Sequence, residues 1–451
     1  MNNVLLSKEL ETKVCVYLKR KTNVRSVIMY YQLTSWIYLP NFVEFSKCYI
    51  WRCFLMVAET QQFLEVDYKY LSQIISSSEL NITSELEVFK AAENWISYKR
   101  IDRSKYAKEL LLKVRLPLLS DHTLDFLLST DSFFLNNEEC VVLMKEILKN
   151  KNVYRNSLES GCNTRYCNHK MFDVFELRNG ESTQLVQYDT NKNNLDCVIN
   201  FSNIRVEVNY FRPIFYNGTF YVFCFIEKCS KYKMSVRRYS SENSSWEHVA
   251  EYSNNRVKQF CVCGFMGKLY SIGGMFTTDS GYSIINTCVQ FDPIKDEIQE
   301  VKPMNRPRYL AACAVFEGRV VVSGGFSTHT AEVYDHVADK WSYMPGMTRE
   351  RCGHGLVVVR NKLFAVGGGV NSCEVFDSRS KKFVLVSSPP PAYFNFETIA
   401  GAVSKGNKVI IFRHFSKKVA CYDLDKEQWS KEKYESDSIR TIHDCVKFPH
   451  A

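Results

Sequence analysis

The pattern of apolar positions along the chain changes character once, near residue 150. Before that point apolar residues recur at steps of three and four, the spacing that lays them on one face of an α-helix. Leu6, Leu10, Val14, Tyr17 and Leu18 form the first such face. Asn23 is placed to cap a second helix, with Val24, Val27, Ile28 and Tyr31 inward. Pro40 suits the first turn of a third, with Phe42, Phe45, Tyr49 and Cys53 inward. Ser84-Glu85-Leu86-Glu87 has capping-box spacing and opens a helix through Trp95 and Tyr98. Tyr106, Leu110, Leu111 and Val114 mark another, stopped before Pro117. Two more cover Thr123–Leu128 and Glu138–Leu148. Some seven amphipathic helices with short connections predict an antiparallel helical array.

From about residue 167 the period shortens to two. Short alternating runs such as Lys268–Ile272, Arg319–Val322 and Lys362–Val366 are split by Gly, Asn, Asp and Ser, which reads as strands and turns. The stretch 151–166 is polar and aperiodic and reads as a linker. The strand region also repeats. An aromatic residue, usually followed by Asp, recurs at Tyr188, Tyr239, Phe291, Tyr334, Phe376 and Tyr422, with spacings of 51, 52, 43, 42 and 46 residues. Seven positions after each stands a large apolar residue: Leu195, Trp246, Ile298, Trp341, Phe383 and Trp429. Gly273-Gly274, Gly324-Gly325 and Gly367-Gly368 close apolar runs upstream of three copies. Six copies predict six four-stranded blades. The glycine pairs allow close backbone approach near the axis, and the aromatics pack between neighbouring blades. Blade one opens at about Met171–Leu177 with room for three strands, so a C-terminal strand near Ile439–Phe448 is expected to complete it and close the ring.

The Gly-Gly, aromatic-Asp and Trp series resembles Kelch repeats. The helical half resembles the BACK domain of BTB–BACK–Kelch proteins, through Phe63-Leu64-Glu65-Val66, Leu80-Asn81-Ile82, Glu87-Val88-Phe89, Trp95 and Val114-Arg115-Leu116-Pro117-Leu118-Leu119. On this resemblance the expected fold is an α-helical, BACK-like array followed by an all-β six-bladed Kelch propeller. Residues 1–57 would hold the last BTB-like helix and a post-BTB extension, 58–150 the BACK-like domain, and 167–451 the propeller. The resemblance implies a substrate-recognition adaptor of a cullin-RING ubiquitin ligase, or alternatively an actin-associated cytoskeletal scaffold. Leu5–Lys19 looks like the last helix of a BTB domain, and the helices near 24–56 resemble the extension that helps grip a cullin. The BTB sheet is not among these residues, so weakened cullin contact and a monomer are expected. Blades one, two and six depart from the family pattern: they lack the glycine pair, and Cys224-Phe225 and Phe412-Arg413 stand there in the latter two.

Composition narrows the chemistry. Of 451 residues, 45% are hydrophobic and 24% charged, ordinary for a globular chain. No run of eighteen apolar residues suggests a membrane span, and MNNVLLSKELETK does not read as a secretory signal. The 17 cysteines therefore read as reduced, small apolar residues in a cytoplasmic protein, with nuclear or cytoskeletal association compatible. Without that signal the glycosylation triplets at Asn81 and Asn217 read as unused. No C-x-x-C pair points to a metal. Cys261 and Cys263 alternate onto one strand face and read as buried thiols rather than ligands. Gly367-Gly368-Gly369 lacks the spacing of a phosphate loop and reads as a strand end. His354 reads as structural, and no catalytic constellation appears, so neither enzyme activity nor a cofactor is expected. The net charge of +9 is concentrated after residue 150, where 39 Lys and Arg face 31 Asp and Glu. That excess suits an acidic partner, but no nucleic-acid module accompanies it.

One constellation rises above this background. Arg308 and Arg351 each stand sixteen residues before a glycine pair, and Arg306 and Arg349 eighteen before. Equal register in successive blades places them on one propeller face. Guanidinium forks pair bidentately with carboxylates and phosphates, so these four, with Tyr309, Arg256 and Lys258 in a neighbouring blade and Tyr393-Phe394-Asn395 before the last, are the expected rim for an acidic or phosphorylated segment of a target protein. The competing reading is that the arginines brace the turns between blades.

Overall fold

The computed structural model describes most of residues 8–150 and, between 171 and 448, the strands with most of their turns. Residues 1–7, 151–170, 201–210, 388–398, 434–443 and 449–451, with several shorter turns, lie outside the description, as does Ser84 of the expected capping box. The chain divides into two compact units, one reaching Tyr166 and the other starting at Cys167.

The described residues of the first unit form helices and their connecting turns. Helices at Lys8–Lys21, Val27–Trp36, Pro40–Arg52, Glu85–Tyr98, Ala107–Lys113, Asp121–Ser129 and Glu138–Lys149 fall where the periodicity placed them. Asn23 caps the turn that leads into the second helix: its side-chain oxygen accepts from the backbone of Arg25 and Ser26 and its carbonyl from Val27, where the regular helix begins. Four further short helices, Phe54–Ala58, Gln61–Glu65, Tyr68–Ser76 and Arg100–Arg103, were not anticipated. Every residue of Phe54–Ala58 is buried, so the segment carries no polar face to reveal its period. Trp95 holds this region from the next helix, donating from Nε1 to the Val66 carbonyl at 2.8 Å. The guanidinium of Arg103 lies 3.8 Å from the centre of the Trp95 ring and donates to the carbonyls of Leu64 and Trp95.

The second unit holds six four-stranded antiparallel sheets. Blade three comprises Cys261–Phe265, Lys268–Thr278, Gly281–Asp292 and Glu297–Val301. Blade four comprises Ala312–Phe316, Arg319–Ser323, Ala331–Asp335 and Lys340–Met344, and blade five the strands from Gly355 to Val386. The innermost strands of successive blades pack side by side around a closed cycle. Asp444–Phe448 closes it by pairing with Met171–Phe175 of the first blade. The sequence placed this strand and its partner correctly.

The seven-residue offset proves to be a cross-strand pair. Tyr188–Leu195, Tyr239–Trp246, Phe291–Ile298, Tyr334–Trp341, Phe376–Phe383 and Tyr422–Trp429 all face one another across the hairpin joining strands three and four. Such pairs add about 0.5–1.5 kcal/mol beyond the area they bury when both members are aromatic. They also reach the neighbouring blade: Tyr334 meets Tyr270 edge-on at 5.9 Å, and Trp341 Nε1 donates to the Lys302 carbonyl at 2.9 Å. The recurring Asp has its own task. In blades three, four and six its carboxylate accepts the two backbone N–H groups that turn the hairpin, from Ile294 and Lys295, Val337 and Ala338, and Asp425 and Lys426.

The glycine pairs answer a steric demand. Gly324 has φ +61°. A Cβ there would stand 2.5 Å from the Arg351 carbonyl oxygen of the next blade, and one on Gly273 would stand at the same distance from that of Arg308. The partner glycines then donate to those carbonyls, Gly274 to Arg308 at 2.7 Å and Gly325 to Arg351 at 2.9 Å. Gly353 has a similar φ, +62°, but open space where its Cβ would go, so it isolates backbone strain from collision. Gly353→Ala should cost about 1–2 kcal/mol. Gly324→Ala should cost distinctly more, on the order of 3 kcal/mol or above, measured by denaturant unfolding of the two variants side by side.

Candidate functional site: a propeller face at blades three to five

In an antiparallel blade the start of strand one and the end of strand two lie on the same face. The loops leading into blades four and five therefore meet the turns that follow the glycine pairs. Four expected site residues, together with Tyr309, lie in these two loops, and they separate into two kinds.

Arg308 and Arg351 are 1% exposed, which corrects their expected place on a solvent-facing rim. Arg308 donates from Nε and Nη2 to Glu332 Oε1, from Nη1 to the carbonyls of Gly324 and Thr330, and from Nη2 to Thr330 Oγ1. Arg351 repeats the pattern with Glu374 Oε1, the carbonyls of Gly367 and Ser372, and Ser372 Oγ. A guanidinium has five N–H donors, and all are taken in both residues. The carboxylates are equally occupied: Glu332 also accepts from the backbone of Asn305 and Arg306, and Glu374 from that of Thr348. These arginines are internal braces with no donor left for a ligand. The sequence carried a signal for their partners that went unread. Glu332 and Glu374 each precede the repeat's aromatic by two residues, while Arg237, Val289 and Ala420 stand there in blades two, three and six. The acid occurs where the arginine does.

His354 is buried beside these pairs. Its Nε2 lies 2.9 Å from Ser323 Oγ, and its Nδ1 has no partner among the described residues. Burial, and then the positive charges of Arg351 and Arg308, push its pKa down to about 3, so it is a neutral structural histidine. Cys261, Cys263 and Cys313 lie in one core cluster. Contact with the Cys313 thiol and burial push the Cys261 pKa up, which makes it a poor nucleophile.

The exposed part of the face is of a different character. Arg306 and Arg349 are exposed, and among the described residues no hydrogen bond or ion pair engages their side chains. Tyr309, half-buried, is the middle member of three rings. It stacks on Phe326 with centroids 5.4 Å apart and planes at 29°, and it meets Tyr282 at 6.2 Å. Phe326 is 49% exposed and Tyr282 56%. Sequence reasoning named Tyr309 and missed the other two. Phe326 directly follows a glycine pair, which was the available hint. Tyr282 sits on a long hairpin of blade three, whose strands run four paired residues past Gly274 and Ile285; blade two has a hairpin of similar length, and blades four and five do not. Lys258 is half-buried and pairs through its backbone with Met275. Arg256, Tyr393, Phe394 and Asn395 lie outside the described residues. Among the described residues no group of three or more His, Cys, Asp or Glu could hold a metal ion, and no helix is long and apolar enough to cross a membrane.

Comparison with known proteins agrees with this architecture. Residues 27–129 match the BACK family (BTB And C-terminal Kelch), and residues 307–348 and 350–390 match the Kelch motif. These matches, one in each unit, support the chain's resemblance to BTB–BACK–Kelch proteins. Among its Kelch-like relatives, Kelch-like protein 7 of Rattus norvegicus is 24% identical over 405 residues, covering 84% of this chain and 66% of the relative. Kelch-like protein 7 of Homo sapiens is 24% identical over 371 residues, covering 79% and 61%, and Kelch-like protein 26 of Danio rerio 22% over 380, covering 78% and 60%. The chain thus spans less than two thirds of the length of these Kelch-like proteins.

Two outcomes test the internal assignments. Arg308→Ala leaves Glu332 charged and buried without its counter-ion, and should cost about 3–5 kcal/mol. Replacing both members with apolar residues, Arg308→Met with Glu332→Leu, should cost less than that single change, as read by chemical denaturation. His354 binds its proton less readily folded than unfolded, so protons favour the unfolded chain. Stability should fall as pH drops from 6.5 toward about 3, and His354→Asn should flatten that part of the pH–melting profile.

Proposed function

We propose that the chain is a non-enzymatic adaptor whose propeller captures a target protein on the face formed by the lead-in loops of blades four and five. The observation that carries the reading is the exposed ring cluster of Tyr282, Tyr309 and Phe326 beside exposed Arg306 and Arg349. Aromatic and arginine side chains are what protein interfaces concentrate at their energetic centres. No part of this cluster is consumed by the blade framework, which relies on Arg308, Arg351 and the glycine pairs instead.

The family resemblance extends the reading to a cullin-RING ubiquitin ligase working in the cytoplasm, with the helical unit linking target to ligase. The helix Val27–Trp36 and the turn after it support this, because Met29, Leu33, Trp36 and Tyr38 are exposed, the last two by 83% and 85%. Exposed apolar groups gathered on one short segment mark contact sites. Affinity purification of the tagged full chain from cells, with the bound proteins identified by mass spectrometry, tests the proposal. Cullin and RING components should be recovered, and Trp36→Ala with Leu33→Ala should reduce them several-fold. Recovery of actin without those components would replace the ligase reading with a cytoskeletal one.

A further inference from the structure

The outer rim of the propeller is uneven. Among the described strands, the fourth of each blade pairs on one side only, with the third, and its other edge is open. Open edges accept extended chains unless charge or distortion blocks them. Four blades place a charge inside that strand: Asp196 in Asn194–Asn200, Glu247 and Glu251 in Ser245–Ser253, Glu300 in Glu297–Val301, and Lys431 and Glu432 in Gln428–Lys433. Blades four and five do not. After its first lysine, the blade-four strand reads Trp341-Ser342-Tyr343-Met344 and the blade-five strand Phe383-Val384-Leu385-Val386. Only in blade five is the edge apolar throughout.

Burial sharpens the contrast. Phe383 is buried against Phe376, with ring centroids 5.2 Å apart, and anchors the strand. Val384 and Leu385 are 43% and 55% exposed. Val384 pairs with half-buried Val375 of the third strand, so two valines stand side by side at the open margin of the blade. The charges of the segment 381–387 are Lys381 and Lys382, both at its first end.

The position of those charges selects the occupant. A second copy of the strand running parallel would set lysine against lysine. Running antiparallel, it places Lys382 of each copy four residues apart along the ribbon, about 14 Å at the rise of an extended chain. That exceeds the Debye length of about 8 Å at physiological salt. Residues facing one another in an antiparallel pair share a side of the sheet, so a strand meeting its own copy centres on one residue. Centring on Val384 alone sets all five residues opposite a partner: Lys382 to Val386, Phe383 to Leu385, and Val384 to itself. Val375 and Val384 of both copies then form one apolar row across four strands.

We propose that the propeller self-associates through the open edge of blade five, two copies joining antiparallel about Val384 so that their four-stranded sheets become one continuous sheet. The contact is isologous and consumes both edges, so it closes at a dimer and does not grow into a fibre. It involves neither the lead-in loops nor their rings and does not depend on the capture reading. It replaces the monomer expected from the sequence with a weak dimer, because five residues of edge bury less than the roughly 1,200 Å² of a stable interface.

Sedimentation velocity of the full chain over a range of concentrations tests this. The parent chain should pass from monomer to dimer as concentration rises, and more readily at high salt, where the lysines repel less. Val384→Lys should lower the association constant about tenfold or more, because it removes an apolar contact and sets two ammonium groups opposite each other. Val384→Glu should do the same. Mixing the two variants should restore a dimer, since the mixed pair sets Lys opposite Glu. Tyr343→Lys, on the blade-four edge, should change nothing. Val384 and Tyr343 are both exposed, so melting temperatures should stay at the parent value. A parent chain that stays monomeric at every concentration would overturn the proposal. So would a dimer that survives Val384→Lys, or one that both single variants abolish and their mixture does not restore, since Val384 would then not be meeting its own copy. A dimer dissolved by Trp36→Ala and left intact by Val384→Lys would place the interface on the helical unit instead.

Discussion

Between blades four and five, and again between three and four, the backbone carbonyl of an arginine comes close enough to the preceding blade that only glycine fits beneath it. Everything else on that face follows from this approach. The carbonyl accepts a glycine N–H, the arginine's side chain turns into its own blade, and a glutamate from the third strand receives it. One residue thereby joins two sheets through its main chain and fastens the loop, second strand and third strand of a single sheet through its side chain. A buried ion pair is costly to desolvate and is seldom a net source of stability. Here each pair is saturated with hydrogen bonds, and its contribution is geometric. It fixes where the lead-in loop sits, and the exposed residues of that loop inherit the precision.

The same arrangement explains how the face divides its labour. Positions that repeat between blades, such as Arg308 with Arg351, Glu332 with Glu374 and Gly324 with Gly367, belong to the framework. Positions that vary from blade to blade, such as Phe326 after its glycine pair where blades three and five have Met275 and Gly369, are the ones available for recognition. A repeat fold can vary the second set without disturbing the first, because the framework closes its own hydrogen bonds.

That division also accounts for what could be read from the sequence. The aromatic offset of seven was legible because it is a fixed cross-strand pairing, and pairing registers survive as spacings. The register of Arg308 and Arg351 was legible for the same reason, but its meaning was not. Spacing places a residue on a face and does not say whether a long side chain turns outward or in. The answer lay in a second spacing, the glutamate two residues before the aromatic, present in the two blades that carry the arginine. Phe54–Ala58 was illegible as a helix because burial on all sides erases amphipathic contrast. Tyr282 and Phe326 were illegible for the opposite reason, since a search for repeats discards what does not recur.

Closure by the C-terminal strand has a consequence for how the propeller comes into being. Met171 pairs with Phe448. On a ribosome adding about 5–20 residues per second, the first strand waits roughly 15–55 s for the last one to be made. During that interval the five later blades can form in turn, each on local contacts, while blade one offers an unpaired inner edge of the kind that invites pairing with other chains. The ring therefore closes only after residues 444–448 have been made, however early the blades between have formed. A chain that stops a few residues early would carry almost every contact of the native propeller and still present an open sheet to its surroundings.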